Sequence, residues 1–373
     1  MKQVTADVVV IGAGSAGLCA AYQAAHAGAD VLVIDENHLP GGQLFKQIHK
    51  FFGSRVHYAG TRGYQIGQQL LERVQDSGAK VWLDTLVYGM AHDKTLGVIH
   101  QGTHYTVQAQ KVIVATGAKE NYMAFPGSTL PGVMGAGAAQ TMVNIHRVLP
   151  GQRVVMLGSG NVGLIVSYQL MQAGADVIAL VEGAPKIGGY AVHAAKIRRA
   201  GVPIYVGHTI TQVLGTNHVE QVEIAAVDAQ FTPVPGTEQR LEADTVCLAV
   251  GLNPMTELLW MAGCEFCYIP AFGGHVPLHN WDMETTIQGL YVAGDVTGVE
   301  EASSAMEEGN MAGIAAAQAL GLLDVCDAES RKAEIAARLD VLRSGLFGVR
   351  RRTAKQQQLN AMDVSMGGAS HNG

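Results

Sequence analysis

Two groups of glycines stand at a spacing that could hold a phosphate. Gly12, Gly14 and Gly17 separate an apolar β-branched run from an amphipathic helix, and the next apolar run ends in Asp35 and Glu36. A glycine loop between strand and helix lets backbone N–H groups and the positive end of the helix approach a pyrophosphate. An acid about 20 residues later accepts hydrogen bonds from a ribose. The first site is therefore predicted to bind a dinucleotide.

The same pattern occurs a second time. Residues 153–182 align without a gap on residues 7–36, and the second apolar run ends at Glu182. The repeated glycines are Gly158, Gly160 and Gly163. Each copy predicts a βαβ unit of a parallel sheet. An acid at position 182 would accept hydrogen bonds from both ribose hydroxyls and repel a 2′-phosphate, which favours NAD(H) over NADP(H). A repeat that kept its packing glycines but lost its nucleotide is the alternative.

Composition excludes several classes of protein. The chain has 373 residues, 48% of them hydrophobic, and a net charge of -7, which argues against disorder and against a nucleic-acid-binding face. Five cysteines do not make a disulfide framework. Two uncharged stretches reach membrane-spanning length, Val8 to Ala29 and Val154 to Ala175. Each is interrupted by one of the glycine groups, so we expect no integral membrane association. We expect a cytoplasmic protein. Its low charge content, 15%, suggests that subunit contacts cover part of its surface, and a large, well-packed monomer is the alternative.

The remaining chain alternates predicted strands and helices. The predicted helices are residues 66–76, 185–201, 302–320 and an amphipathic segment at about 327–344. A long excursion that follows Gly41-Gly42-Gln43 and runs to about Tyr64 is expected to be functional. Arg350, Arg351, Arg352 and Lys355 form a basic cluster in the final segment. That cluster predicts a solvated polar tail, with docking of a partner as the alternative.

Five motifs occur in one fixed order, and that order resembles the two-dinucleotide-binding flavoproteins that include thioredoxin and glutathione reductases. They are Gly12-x-Gly14-x-x-Gly17, Gly41-Gly42-Gln43, Ala115-Thr116-Gly117, the second glycine group and Tyr291-Val292-Ala293-Gly294-Asp295. The resemblance covers about residues 5–322. It implies an α/β fold with two Rossmann-like domains, the second inserted in the first. The implied segments are 1–118 and 245–323 for the FAD domain and 119–244 for the NAD(H) insert. The residue pattern itself predicts a C-terminal helix and polar tail over residues 324–373.

The resemblance also implies which residues hold each cofactor. Asp35 or Glu36 would bind the adenosine ribose of FAD, and Asp295 would accept a hydrogen bond from its ribityl chain. The helix that opens at Ala302-Ser303 would point its positive end at the flavin. The implied FAD residues are Gly12, Gly14, Ser15, Ala16, Gly17, Asp35, Glu36, Gly42, Gln43, Thr116, Gly117, Gly294, Asp295, Ala302 and Ser303. The implied NAD(H) residues are Gly158, Gly160, Asn161, Val162, Gly163 and Glu182.

A narrower resemblance rests on shorter motifs. They are residues 115–120 (ATGAKE), 125–127 (FPG), 130–133 (LPGV), 135–140 (GAGAAQ) and 193–196 (HAAK). These look like flavoprotein subunits of multi-component amine and amino-acid dehydrogenases, including opine oxidases, proline and hydroxyproline dehydrogenase complexes and hydrogen cyanide synthase. Many members extend into a cysteine-rich iron–sulfur domain, whereas only Cys326 follows residue 323 here. The resemblance therefore implies that the partner is a second dehydrogenase subunit, and any iron–sulfur cluster would lie on a separate small protein.

The cysteines argue against one activity of the wider superfamily. Residues 37–60 and 119–244 contain no cysteine, so the redox disulfide of the disulfide reductases is missing from both of its usual places. Cys264-Glu265-Phe266-Cys267 has no second ligand pair, which predicts half-buried structural cysteines and no metal site. Candidates for proton transfer near the flavin are Lys46, His49, Glu300 and Glu301.

These observations favour an FAD-dependent oxidoreductase that serves as one subunit of an amino-acid or amine dehydrogenase of the opine or proline type. Its flavin would exchange electrons with NAD(H) or with a redox centre on a partner. Two alternatives stay open. One is a free-standing, homodimeric NADH:acceptor oxidoreductase without a redox disulfide. The other is a scaffold in which the nucleotides are structural. The sequence does not identify the substrate.

Overall fold

The computed structural model describes residues Lys2–Gly368. The strands are β1 (Lys2–Ile11), β2 (Val31–Ile34), β3 (Lys80–Trp82), β4 (Thr85–Met90), β5 (Leu96–His100), β6 (Thr103–Val114), β7 (Ala118–Glu120), β8 (Val133–Gly135), β9 (Arg153–Leu157), β10 (Asp176–Glu182), β11 (Ile204–Val206), β12 (His208–Leu214), β13 (Gln221–Ala226), β14 (Gln239–Glu242), β15 (Thr245–Leu248), β16 (Leu252–Pro254), β17 (Phe266–Ile269), β18 (Gly274–Pro277) and β19 (Leu290–Val292). The α-helices are α1 (Ser15–His26), α2 (Gly63–Asp76), α3 (Ala136–Thr141), α4 (Asn161–Gln172), α5 (Ala191–Arg199), α6 (Glu257–Ala262), α7 (Ala302–Ala319), α8 (Val325–Leu342) and α9 (Gly345–Gly368).

The chain forms two compact units. Of the described residues, those up to Lys119 and those from Asn253 to Gly368 form one unit, and Glu120–Leu252 form the other. The predicted return to the first unit at residue 245 is wrong, because β15 pairs with β8 and β9 inside the second unit. Its four residues are all buried, as expected for a central strand of a parallel sheet.

The sheet of the first unit has the order β3-β2-β1-β6-β5-β4, and β19 also pairs with β6. The pairings of β1 with β2 and β6, of β2 with β3, and of β19 with β6 are parallel. Along β1, Val8 and Val10 enter one hydrophobic cluster while Val9 and Ile11 enter another. Both faces of this strand are therefore covered, which explains its unbroken apolar run.

The second unit has a five-stranded parallel sheet of order β11-β10-β9-β15-β8 and an antiparallel sheet of order β12-β13-β14. Helix α4 follows β9, as α1 follows β1, so the glycine repeat corresponds to a repeated βαβ unit. The predicted α/β, Rossmann-like fold is confirmed. Within residues 2–368, no helix is both long and apolar enough to cross a membrane.

The predicted polar tail after residue 344 is wrong. Helix α9 occupies this segment, and Ala354, Leu359 and Met362 are buried along it. Lys355, one of the four basic residues assigned to the tail, is only 4% exposed. A charged lysine at such a position requires an opposite charge beside it. The carboxylate that supplies this charge lies 47 positions earlier, at Glu308, where sequence spacing does not point.

Candidate functional site

The three glycines of the first group are required for different reasons. Gly12 has a φ of +106°, and a Cβ there would overlap the carbonyl oxygen of Ala115. A Cβ at Gly17 would overlap the carbonyl oxygen of Gly12, so this glycine lets the helix approach the strand. At Gly14 the nearest described atom would be the Cα of Gly42, 3.9 Å away. Protein packing explains the outer glycines and leaves open space at the middle one.

The surroundings of Gly14 fit an anion. Helix α1 begins at Ser15 with Gly14 as its N-cap, and no side chain caps it. The N–H groups of Ser15, Ala16 and Gly17 lie in this first turn, where an α-helix provides no internal acceptor. Open space beside those donors is the arrangement that a pyrophosphate requires. The first loop therefore fits the phosphates of a dinucleotide such as FAD.

The second glycine loop repeats this geometry. Gly158 has a φ of +104°, and a Cβ there would overlap the carbonyl oxygen of Ala249. A Cβ at Gly163 would overlap the carbonyl oxygen of Gly158. No described atom lies within 4 Å of the position that a Cβ would take at Gly160. The second loop therefore has the same open space at its middle glycine.

Asn161 and Val162 open helix α4 beside the second loop. The Oδ1 of Asn161 accepts a hydrogen bond from the backbone N–H of Tyr190 at 2.9 Å. Gly189 N donates to Ser159 O at 2.8 Å, so the segment before α5 is fastened to the loop. This fastening explains why α5 begins at residue 191 and not at 185 as predicted. Val162 is 42% exposed at the helix start.

An acid at the end of the second strand of each unit bonds to its own glycine loop. Asp35 is 7% exposed, and its Oδ2 accepts a hydrogen bond from Ala13 N at 2.6 Å. The Oε2 of Glu182 accepts hydrogen bonds from the backbone N of Ser159 at 2.9 Å and from its Oγ at 2.6 Å. Each carboxylate therefore helps to set the conformation of the loop that it would share with a nucleotide.

Asp35, and not Glu36, is the structural counterpart of Glu182. The pairing of β2 with β1 is continuous, whereas the pairing of β10 with β9 shifts at a β-bulge. The bulge adds one residue to the second strand, so the gapless alignment that matches Glu36 with Glu182 is displaced by one position beyond it. Glu36 is exposed. Of the two acids predicted to hold the adenosine ribose, Asp35 has the position that Glu182 has in the repeat.

Two motif glycines from distant segments lie against the first loop. Gly42 has a φ of +54°, and a Cβ there would come within 2.8 Å of the Cα of Gly14. Gly294 has a φ of +77°, and a Cβ there would come within 2.8 Å of the Cβ of Ala16. Gln43 follows Gly42 and is exposed. Together with Ala115, whose carbonyl oxygen lies against Gly12, the fold thus brings four of the five sequence motifs together at the first loop and the start of α1.

Thr116 and Gly117 follow the end of β6. The hydroxyl of Thr116 donates to the backbone oxygen of Met255 at 2.7 Å. Gly117 has a φ of +74°, and no described atom lies within 4 Å of its Cβ position. The Thr116 proton is therefore used within the protein, and open space lies beside Gly117.

Asp295 lies in the short 3-10 helix Gly294–Thr297, and its Oδ1 accepts a hydrogen bond from Glu300 N at 3.3 Å. Burial raises the pKa of the Asp295 carboxyl to about 7, and the nearby carboxylate of Glu308 adds to the rise. Such a carboxyl exchanges its proton near neutral pH, so it can donate or accept a hydrogen bond there. Helix α7 begins at Ala302, followed by Ser303, and no side chain caps it.

The four candidate proton-transfer residues have different surroundings. The Glu300 side chain is 5% exposed and lies 2.9 Å from the guanidinium of Arg343. Glu301 is the N-cap of α7 and lies 3.5 Å from Arg351. These ion pairs give both glutamates a structural role at the start of α7.

Lys46 and His49 lie in the excursion after Gly42. Lys46 ends the 3-10 helix Gly42–Lys46 and is half-buried. The His49 ring stacks on the ring of Phe51 with their centroids 5.8 Å apart. A proton-transfer role for Lys46 and His49 stays a prediction.

Sequence reasoning missed a buried ion-pair network centred on Glu308. Its Oε2 accepts hydrogen bonds from Gly294 N at 3.0 Å and Thr297 Oγ1 at 2.9 Å. Its Oε1 lies 2.6 Å from Arg343 and 3.0 Å from Lys355. Burial alone would raise the pKa of Glu308, but these two cations lower it to about 2. The carboxylate is therefore ionised and connects the Gly294 turn to the C-terminal helices.

One signal in the sequence could have revealed this network. Glu307-Glu308 interrupts a helix of mostly small residues, and both side chains are almost fully buried. Buried glutamates require partners. Glu307 has them in His57 at 2.8 Å and Arg338 at 2.7 Å. The position of these two glutamates in a helix of small residues predicts that they are buried. Which cation pairs with each glutamate depends on the tertiary structure.

The cysteines of the described chain are free thiols. Cys267 lies on β17 and Cys264 precedes it, with its Sγ 3.6 Å from the hydroxyl of Thr285. Burial raises the pKa of the Cys19 and Cys247 thiols to about 12 and also raises those of Cys264 and Cys267. In residues 2–368, no three His, Cys, Asp or Glu side chains are grouped as metal ligands would be.

The chain is similar to subunits of an opine oxidase and of a hydrogen cyanide synthase. It is 34% identical over 343 residues to an opine oxidase subunit of Agrobacterium tumefaciens (strain Ach5), with 85% of this chain and 66% of that protein covered. It is 24% identical over 378 residues to hydrogen cyanide synthase subunit HcnB of Pseudomonas aeruginosa (strain PAO1), with 95% and 81% covered. The chain spans about two thirds of the length of the opine oxidase subunits to which it is similar.

The fold has a solved counterpart in T. acidophilum thioredoxin reductase, with a TM-score of 0.67 and 22% identity over 85% of this chain and 99% of that one. The family model described as pyridine nucleotide-disulphide oxidoreductase matches residues 6–309. These matches confirm the predicted resemblance to two-dinucleotide flavoproteins and imply binding of FAD and a pyridine nucleotide. The chain is an oxidoreductase and belongs to the pyridine nucleotide-disulphide oxidoreductase family.

Proposed function

We propose that this chain is the flavoprotein subunit of a multi-component amino-acid or amine dehydrogenase of the opine or proline type. Electrons would pass between FAD and either NAD(H) or a redox centre on a partner subunit. The observation that supports this most strongly is the packing of Gly42 against Gly14 and of Gly294 against Ala16, beside the open first loop, in a chain similar to an opine oxidase subunit.

The residues of the first unit fit FAD. The open space at Gly14 and the start of α1 would take its pyrophosphate, and Asp35 would hold its adenosine ribose. Asp295, with a pKa raised to about 7, would hydrogen-bond the ribityl chain as donor or acceptor. The N-terminus of α7 would favour negative charge placed near it. FAD, when bound, supplies the two-electron redox chemistry.

The second loop would bind NAD(H). Its open space at Gly160 would take the pyrophosphate, and one carboxylate oxygen of Glu182 already bonds to the loop. The other oxygen of Glu182 accepts a hydrogen bond from Ala184 N at 2.8 Å. A negatively charged group at this position favours ribose hydroxyls and repels a 2′-phosphate. We therefore expect NADH to be preferred over NADPH.

A dithiol mechanism has no support in this chain. Neither place where disulfide reductases carry their cysteine pair contains a cysteine, and burial raises the pKa of the Cys264 and Cys267 thiols. Electrons would have to leave through a partner or a small acceptor. The partners we propose are a small iron–sulfur protein and a second dehydrogenase subunit.

The test is anaerobic addition of NADH to the purified, FAD-loaded chain. Bleaching of the flavin absorbance would support a working second site, with much slower bleaching by NADPH. Glu182→Gln should narrow the difference between the rates at which NADH and NADPH bleach the flavin. Glu36→Gln removes the exposed acid that aligns with Glu182 without a gap, and it should change neither rate. A chain that retains no FAD would contradict the proposed function.

Substrate class is tested with the partner subunits present. Opines and amino acids should bleach the flavin of the assembled complex but not that of the isolated chain. Full turnover of the isolated chain as a homodimer, with NADH and a quinone, would instead assign the free-standing NADH:acceptor oxidoreductase. Gel filtration with and without the candidate partners distinguishes the two assemblies.

A further inference from the structure

Helix α9 reaches the turn that carries Asp295 through two buried side chains. Gln358 donates its Nε2–H to the backbone oxygen of Thr297 at 3.1 Å, and Lys355 supplies the only charge of the two. The Nζ of Lys355 lies 3.0 Å from Glu308 Oε1, 3.1 Å from Thr297 Oγ1 and 3.3 Å from His279 Nε2. The lysine is 4% exposed. A helix that served only to cover apolar surface would not need a buried ammonium group at this position.

The protonation of these groups follows from their contacts. The Nδ1 of His279 donates to Asn280 O at 2.8 Å, which leaves Nε2 as an acceptor for the Lys355 ammonium. Burial lowers the pKa of His279 to about 3, and the charge of Lys355 acts in the same direction. His279 is therefore neutral, and Lys355 forms an ion pair with Glu308.

The charges beside the turn balance only when Lys355 is present. Apart from Asp295, whose pKa of about 7 leaves its carboxyl partly protonated, Glu300 and Glu308 are buried carboxylates that pair with two buried cations, Arg343 and Lys355. Loss of Lys355 would leave one negative charge uncompensated next to Asp295. Uncompensated buried charge is costly and repels further negative charge nearby.

Glu308 connects the charge of Lys355 to the turn. One of its oxygens faces Lys355 and Arg343, and the other accepts the N–H of Gly294, the residue before Asp295. We propose that Lys355 is a positioning residue for the flavin site, which acts through Glu308 to hold the Gly294–Thr297 turn and to balance charge beside it. This inference rests on the proposed function in one respect, namely that the turn contacts FAD.

Helix α8 offers a matched control. Lys332 is 6% exposed and pairs with Asp282 at 2.9 Å and Glu329 at 2.6 Å. Its two carboxylate partners differ from the Glu308 carboxylate that bonds to the Gly294 turn, so it is a buried, paired lysine outside that network. Lys332→Met should lower stability as Lys355→Met does, without acting on the turn.

The experiment compares Lys355→Met, Lys355→Gln, Lys355→Arg and Lys332→Met with the unaltered chain. In FAD-free protein, hydrogen exchange of the Gly294 amide should become at least about tenfold faster in Lys355→Met and Lys355→Gln. The same variants should bind FAD at least about tenfold more weakly than the unaltered chain. Once loaded with FAD, they should show a more negative reduction potential of the flavin. Lys355→Arg keeps the positive charge, so its amide exchange, FAD affinity and reduction potential should stay close to those of the unaltered chain.

The inference would be overturned if Lys355→Gln changed neither the exchange rate of the Gly294 amide, nor the FAD affinity, nor the reduction potential. Its only effect would then be a fall in Tm like that of Lys332→Met. Lys355→Gln keeps a hydrogen-bond donor, so the test remains available if Lys355→Met does not fold. The exchange measurement needs no FAD, so it tests Lys355 separately from the proposed function. Failure of the unaltered chain to bind FAD would count against the proposed function alone.

Discussion

Gly160→Ala is the sharpest test of the second nucleotide site, because the structure predicts that this substitution hardly changes the free energy of unfolding. Gly160 has a φ of −65° and a ψ of 176°, which alanine adopts readily. No described atom lies within 4 Å of the new methyl group. Alanine is a poorer N-cap than glycine by about 1 kcal/mol or less, and a less flexible unfolded chain offsets about 0.4–1 kcal/mol of that. Stability should therefore change by less than about 1 kcal/mol.

The effect on the nucleotide should be large. The methyl group would occupy the space through which a pyrophosphate approaches the backbone. We expect NADH affinity to fall by about 100-fold, which corresponds to about 2.7 kcal/mol. The assay is stopped-flow bleaching of the flavin under anaerobic conditions across a range of NADH concentrations, together with thermal unfolding of the FAD-loaded protein.

Gly14→Ala is the reciprocal control. It places the same methyl group in the first loop, where the nearest described atom would be 3.9 Å away, and it should abolish FAD retention. Gly160→Ala should keep its FAD spectrum and its Tm within a few degrees. Saturation by NADH at the concentration that the unaltered chain requires would refute the proposal that the nucleotide passes Gly160. A large fall in Tm would refute the packing argument.

Three further predictions concern stability and reactivity. Gly309→Ala should destabilise the protein by about 1–3 kcal/mol, because its Cβ would overlap a backbone carbonyl of α1, and an unchanged urea midpoint would contradict this packing. The pKa of Asp295 is raised above its unfolded value to about 7, so its ionisation opposes folding increasingly as the pH rises from about 4 to 7. FAD-free Asp295→Asn should therefore gain stability over the unaltered chain at about pH 8 but not at about pH 4, and an equal gain at both would show that the carboxyl is not perturbed. Cys326 is exposed and should react rapidly with a thiol reagent, whereas Cys19 and Cys247, with pKa values raised to about 12, should react only after unfolding, as peptide mapping would show.

Local patterns were sufficient for the repeated βαβ units. An apolar β-branched run followed by glycines and an amphipathic helix restricts the backbone over about 30 residues, so both units could be predicted from the sequence. Spacing alone did not decide which acid serves the first loop. The bulge in β10 changes the register by one residue, and Asp35 therefore takes the position that a gapless comparison assigns to Glu36. A bulge of this kind leaves no mark in a run of apolar residues.

The sequence by itself determined the α/β class, the two glycine loops and the order of motifs that identifies the family. Only the tertiary structure decided that Gly42 and Gly294 meet at the first loop and that the C-terminal segment is a helix. The same is true of the pairing of Lys355 with Glu308. The physical reason is that hydrophobic periodicity and turn chemistry act between near neighbours. A buried charge is stabilised by whichever opposite charge the fold brings within about 3 Å, at any distance along the chain.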